Sequence, residues 1–347
     1  MTDALVIAGF GRQYLLQTSE GDQVSAVTRG RNTRVTVGDR AKISVLGSRQ
    51  AVIESIVPRI NEFKRSDAAR TKWIAANLDQ AGIVIAPDPP YSEELLLRVM
   101  IAGRAEGIPL AVIVNKHDLL EARARIEPRI KVFRELGYRI IECSARTDPD
   151  GTRQALLPWL KGRTTLLLGQ SGMGKSTLIN CLVPDAGQHT REISQALSAG
   201  RHTTTFTRMF ELPAAQSAAI AAQTHDLEPP ASAGSTTARA KPETDRARGP
   251  AAQTDCAVQG AGRIIDSPGF QSFGLEHLSE SERLHAMPEF EPLIGECRFH
   301  NCTHRSEPGC VIREAADHGE IDPLRYRLFI SFTDESDAIA RAKPWRG

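Results

Sequence analysis

At 347 residues the chain is long enough for two or three domains, each with its own core. A formal net charge of +1 excludes a chain-wide attraction for polyanions, so any nucleic-acid contact must be a local patch. With 41% apolar and 24% charged residues the composition is globular, and no apolar run approaches the roughly 20 residues that span a bilayer.

The opening MTDALVIAGFGRQ has no basic stretch ahead of its apolar residues, so it reads as a strand and not a signal peptide; neither end carries a lipidation signal. Residues 1–65 hold five short alternating runs: LVIAGF, QYLLQTS, DQVSAVT, RVTVGDRAKISVL and AVIESIV. Turn residues separate them, which predicts a small OB-like β-barrel. Ten Lys or Arg against six Asp or Glu suit an oligonucleotide binder. A structural spacer is the alternative. PRINEFKRSDAARTK, residues 58–72, is a polar, basic connection.

After it the texture becomes β-α alternation. AGIVIA (81–86) is a buried strand, and SEELLLRVMIAGRAEG (92–107) a helix with Ser92 as N-cap and Gly107 near its end. PLAVIVNK is a strand. EARARIEPRIKVFRELG is a helix that Pro128 is placed to interrupt. YRIIEC, TRQALLPWLKG, TTLLLG and GKSTLINCLV continue as strand, helix, strand, helix. Such alternation predicts a parallel sheet covered on both faces over residues 66–275.

Loops that follow parallel strands are where ligands bind. In NKHD, Asn115, Lys116, His117 and Asp118 follow one strand. A carboxylate at Asp118 can accept from guanine N1–H and the 2-amino group, which adenine does not offer together. ECSAR follows the next strand, and backbone N–H groups at Ser144 and Ala145 can meet guanine O6. GQSGMGKST then gives Gly169, Gln170, Ser171, Gly172, Met173, Gly174, Lys175, Ser176 and Thr177 between strand and helix. Its backbone N–H groups cradle phosphates, Lys175 reaches the β- and γ-phosphates, and the Ser176 hydroxyl holds Mg²⁺.

LSAGRHTTTF offers Thr203, Thr204 and Thr205 for Mg²⁺ and the γ-phosphate; Thr204 is the favoured one. His202, beside them, is a candidate to contact the attacking water. Residues 213–260 are rich in Ala, Thr, Pro, Gln and Ser and are expected to be a disordered insert. DSPGF supplies Asp266 toward Mg²⁺ and the Gly269 N–H toward the γ-phosphate. Many GTPases place a water-orienting Gln next, where Phe270 stands here. That substitution predicts slow turnover without a partner.

Residues 276–347 form a last, mostly helical unit with nine basic and fourteen acidic residues. CRFHNCTHRSEPGC places Cys297, Cys302 and Cys310 within it, with His300 and His304 as competing imidazoles. Three thiolates and one imidazole make a closed structural Zn²⁺ site. Such a cluster also fits a reducing compartment, so a cytoplasmic location is expected.

All five loops of a GTPase are present, but in rotated order, with the base loop ahead of the phosphate loop. A pocket built at strand ends is indifferent to where the chain begins. The expectation is therefore a multidomain α/β protein: barrel (1–65), circularly permuted P-loop GTPase domain (66–275) and zinc-binding helical domain (276–347). VGDRAKI, PRINEFKRSD, NKHD, GQSGMGKST, GRHTTT, DSPGF and the cysteine cluster together resemble the small ribosomal subunit biogenesis GTPases. The resemblance covers nearly the whole chain and departs from the family at the insert. It implies GTP/GDP, Mg²⁺ and one Zn²⁺ as ligands, with the zinc held by Cys297, Cys302, His304 and Cys310. It also implies the small (30S) ribosomal subunit and its rRNA as partner and stimulator. Monomer is the default assembly. Because switch two runs directly into the C-terminal unit, a nucleotide-driven movement of that unit is expected.

Overall fold

The structure is a computed structural model that describes residues 1–29, 34–47, 49–66, 70–184, 186–187, 206–213 and 262–342. His202, Thr203, Thr204, Thr205 and the expected insert, Pro213 excepted, lie outside the described residues.

Five strands form the barrel: β1 (Thr2–Phe10), β2 (Gln13–Thr18), β3 (Gln23–Thr28), β4 (Arg40–Gly47) and β5 (Gln50–Ile56). They pair in the order β1-β2-β3-β5-β4, and β4 returns to β1 to close the ring. Only β3 and β5 run parallel. Alternation turns Val6, Leu16, Val24, Ala41, Ile43 and Ile53 inward, where they form a separate core.

The basic connection is itself ordered, as the hairpin of β6 (Glu62–Ser66) and β7 (Thr71–Ala76). Arg59 seats it against the barrel. Its guanidinium donates to both oxygens of the fully buried Asp39, at 2.7 and 2.9 Å, and to Glu62. Two charge-assisted bonds in fork geometry fix orientation as well as distance. The backbones also touch: the Ala76 N–H donates to Val37 at 2.9 Å, and Gly38 sits at φ +93° where a Cβ would lie 2.1 Å from the Ala76 carbonyl. Only glycine permits that approach.

The main sheet contains β8 (Gln80–Ile85), β9 (Leu110–Val114), β10 (Arg139–Glu142), β11 (Thr164–Gly169), β12 (Arg208–Glu211) and β13 (Arg263–Asp266). Their order is β10-β9-β8-β11-β13-β12, parallel except for β12. Antiparallel β12 also pairs with β1 at Ala8 and Arg208, so barrel and main sheet are continuous.

Helices cover both faces: α1 (Glu93–Ala105) and α2 (Leu120–Glu135) on one, α3 (Pro149–Leu160) and α4 (Lys175–Leu182) on the other. Ser92 caps α1, its hydroxyl accepting from the Leu95 N–H at 3.2 Å. Pro128 does not break α2. It removes one intrahelical bond, while the buried Ile130 and Phe133 hold the following turns on the sheet.

The C-terminal unit comprises α5 (Glu280–His285), a 3₁₀ turn (Glu291–Leu293), α6 (Val311–Asp317) and α7 (Pro323–Ala342). Phe290, Ile312, Phe329 and Phe332 share one core with Met100 and Leu96 of α1. Ion pairs fix the register of this contact. Arg98 of α1 reaches Glu335 of α7 and stacks 4.1 Å over Phe332, Arg129 of α2 donates to Asp322 at 2.6 Å, and within the unit itself buried Arg325 pairs with Glu289. A buried pair such as Arg325–Glu289 contributes more to positioning than to net stability. The unit is seated on α1 and α2, and the chain between β13 and α5 connects it to the end of the main sheet.

Candidate nucleotide site and metal cluster

One cavity of about 1080 Å³ opens at the carboxyl ends of β9, β10, β11 and β13. Asn115, Lys116, Asp118, Ser144, Ala145, Gln170, Ser171, Gly172, Gly174, Lys175, Ser176, Thr177, Asp266 and Gly269 all line it. Four segments that are distant in sequence thus meet where a parallel sheet places its ligands.

The base loop and the phosphate loop are joined directly. Asn115 is 3% exposed; its Nδ2 donates to the Met173 carbonyl at 3.0 Å and its Oδ1 accepts the Ala145 N–H at 3.1 Å. The Ser144 hydroxyl accepts the Asp118 N–H at 3.0 Å, and the His117 N–H donates to Cys143 at 3.0 Å. Gly174, at φ +83°, is required here, because a Cβ would lie 2.3 Å from Asn115 Nδ2. The Lys116 ammonium donates to the Asp88 carbonyl at 2.7 Å, laying its stem along the cavity wall.

At the phosphate end, Lys175 is buried and donates to the Asp266 carboxylate and the Ser267 carbonyl. Burial raises the Asp266 carboxyl above its ordinary range, and the Lys175 charge opposes that rise. Gln170 Oε1 accepts the Ser92 N–H at 2.7 Å, tying the phosphate loop to the start of α1. Ser176 and Asp266 offer oxygens on the same cavity wall, the donor chemistry a hard cation such as Mg²⁺ requires.

Three of the expected residues stand behind the wall. The His117 ring accepts from Arg123 Nε at 3.0 Å, Met173 is 2% exposed, and Gly169 packs against Val84. Leu119, Arg146, Thr147, Phe206 and Gln271 also line the cavity without having been singled out from sequence. Arg146 and Thr147 directly continue ECSA, so contiguity was the available signal. Cys143 is no reactive thiol: burial pushes it up to about 12.

Beyond β13, Phe270 is buried against Phe273, with ring centroids 5.6 Å apart. The hairpin grips the next residues. Arg65 donates to the Ser272 carbonyl at 2.8 Å, the Ser66 N–H to Gly274 at 3.2 Å, and Ser66 Oγ meets His277 Nδ1 at 2.7 Å.

Elsewhere, one ligand atom from each of Cys297, Cys302, His304 and Cys310 lies within 4.8 Å of the others. Cys297 Sγ and Cys310 Sγ each stand 3.6 Å from His304 Nδ1. A tetrahedral Zn²⁺ site with ordinary Zn–S and Zn–N lengths has such edges of about 3.6 Å. The donor set therefore fits zinc, and His300 is outside it.

Comparison with known proteins agrees with this geometry. The family described as RsgA GTPase matches residues 56–221. The small ribosomal subunit biogenesis GTPase RsgA of Paraburkholderia xenovorans is 41% identical over 97% of this chain and 94% of its own. That of Burkholderia pseudomallei is 41% identical over 97% and 93%, and that of Ralstonia pickettii 39% over 98% and 94%. Among solved structures, YjeQ from Thermotoga maritima superposes with a TM-score of 0.63 at 21% identity, covering 96% of this chain and 98% of that one. YloQ, a circularly permuted GTPase, gives 0.60 at 21% identity over 99% and 97%. The rotated loop order is thus a shared architecture and not an accident of one sequence, and the chain belongs to the RsgA GTPase family.

Proposed function

We propose that the cavity binds GTP with its base against Asp118 and its phosphates in the loop Gly169–Thr177, and that the chain hydrolyses it while maturing the small ribosomal subunit. The observation that carries this reading is the Asn115–Met173 bond, which holds a guanine-selecting loop and a phosphate loop on one cavity. Asp118 accepts from the base, Lys175 exchanges its bond to Asp266 for the phosphates, and Gly269 donates to the γ-phosphate. Ser176 and Asp266, with Thr204 from the switch, would hold Mg²⁺, which supplies charge neutralisation across the phosphate oxygens. Hydrolysis is then positioning plus electrostatic stabilisation.

Phe270 turns into the core and cannot orient water, so the chain alone turns over slowly. His202 is our candidate to contact the water. The partner that completes the site is read from the relatives, whose name assigns them to small ribosomal subunit biogenesis. In this reading residues 1–65 contact rRNA, 66–275 hydrolyse GTP, and 276–347 carry one structural Zn²⁺ on Cys297, Cys302, His304 and Cys310 and help to grip the subunit. The protein works as a cytoplasmic monomer. Phosphate release measured with and without purified small subunits tests the reading. Strong stimulation is expected, and equal rates would count against it.

A further inference from the structure

Four donors converge on one carboxylate beside the cysteine–histidine cluster. Glu307 Oε1 accepts the Thr303 N–H at 2.9 Å and the Thr303 hydroxyl, while Oε2 accepts the N–H groups of Arg305 at 3.0 Å and Ser306 at 3.1 Å. These residues bracket His304, whose φ of +61° lies in a left-handed region that a histidine seldom occupies. From the other side, the Tyr326 hydroxyl donates to the His304 carbonyl at 2.7 Å. Backbone N–H groups gathered in this way form an anion-binding nest. Here the anion is a side chain of the same loop.

We propose that Glu307 is the positioning residue of the metal site: by gathering the donors of residues 303, 305 and 306, it holds His304 in its left-handed conformation with Nδ1 turned toward Cys297 and Cys310. The inference rests on the reading of the cluster as a zinc site. Its physical content is preorganisation. A loop with little core of its own loses conformational freedom when a metal closes it. Four bonds to Glu307 impose part of that order beforehand, so less is lost on binding. Partners that orient a ligand from behind in this way typically change metal affinity about 10–100-fold.

The chemistry calls for an anion and not merely for a side chain of this size. All four groups that point at Glu307 are donors, and a carboxylate is acceptor-only. An amide of the same shape would place an NH₂ either against the Arg305 and Ser306 N–H groups, forfeiting both bonds, or against Thr303, where the hydroxyl could accept but the N–H bond would be lost. Glu307→Gln therefore separates positioning from packing.

The test uses the full chain. Zinc affinity is measured by competition with a chromophoric chelator, and Co²⁺ absorption reports the tetrahedral thiolate–imidazole set. Glu307→Gln is expected to lower zinc affinity about 10–100-fold and to perturb the Co²⁺ spectrum. GTP affinity at the nucleotide cavity, which shares no residue with the cluster, should stay unchanged. Zinc affinity and a Co²⁺ spectrum equal to the parent's would overturn the role. If Glu307→Gln does not fold, Thr303→Ala removes a single donor and should weaken zinc about 2–10-fold; an unchanged affinity then overturns it. A parent chain that takes up neither metal defeats the zinc reading itself and this inference with it.

Discussion

The Asn115 side-chain amide donates to the Met173 carbonyl, 58 residues further along the chain, at 3.0 Å. The bond fastens the base loop to the phosphate loop despite their reversed order. It is buried, and the same side chain accepts the Ala145 N–H. Asn115→Ala would leave both partners unsatisfied, at a cost of about 1–3 kcal/mol. A melting temperature lower by about 2–4 °C per kcal/mol should accompany weaker GTP binding. A variant as stable as the parent would show that the loops are held together by something else.

Lys175 and Asp266 neutralise each other across the phosphate end. Lys175→Met removes the cation that the proposed mechanism sets against the phosphates. Hydrolysis stimulated by the small subunit should fall by about 10²–10³-fold, with the fold retained by circular dichroism. Turnover within a few-fold of the parent would remove Lys175 from the chemistry.

Acid should loosen the contact between the hairpin and the chain after switch two. Burial first, and then the Lys64 charge, hold His277 down at about 4, with Glu282, Glu62 and Arg283 also facing it. Its folded value lies below the unfolded value of about 6.5. The unfolded state therefore takes up the proton first as pH falls. The stability contributed by neutral His277 is complete above about pH 6.5 and is lost on the way to pH 4. Melting temperatures followed from pH 7 to 4.5 should decline, and His277→Asn should flatten the decline. Parallel curves for the two proteins would assign the acid sensitivity to other groups.

Chelation should separate the metal cluster from the nucleotide site. Phe290, Phe329 and Phe332 give the C-terminal unit a hydrophobic core shared with α1, a hold on the fold additional to the cluster. Removing zinc is expected to increase hydrogen exchange over residues 297–310 and to lower the melting temperature, while GTP affinity persists. Loss of GTP binding on chelation would show that the cluster supports the cavity after all.

Much of this was readable in the sequence, for local reasons. Ser92 capped its helix because a hydroxyl before an apolar-periodic run has one obvious use. The glycine loop and NKHD sat at strand ends because the apolar runs before them could only be buried strands. Where contacts are long-range and carry no motif, sequence was silent. Nothing in AGFGR announces that β1 pairs with β12, because strand pairing depends on edge geometry and not on composition. No motif marks Arg98 or Arg129, yet Arg98 of α1 pairs with Glu335 of α7 and Arg129 of α2 with Asp322 just ahead of it. A nucleotide-driven movement of the C-terminal unit would have to work against the pairs from Arg98 and Arg129. Pro128 announced a break that burial of Ile130 and Phe133 overrides. His117 belongs to the motif, but its ring turns to Arg123 and Glu142, which only the fold brings near.

The claim that one carboxylate at the cavity selects the base is tested most directly by Asp118→Asn. The aspartate can accept two hydrogen bonds from guanine, each worth about 1.5–3 kcal/mol. Asparagine presents a donor where the 2-amino group of guanine also donates, and it suits the 2-carbonyl of xanthine. Binding and hydrolysis of GTP and XTP should be compared in parent and variant. We expect GTP affinity to fall at least about tenfold while XTP becomes the preferred nucleotide; undiminished GTP affinity, with XTP still rejected, would place Asp118 outside the site.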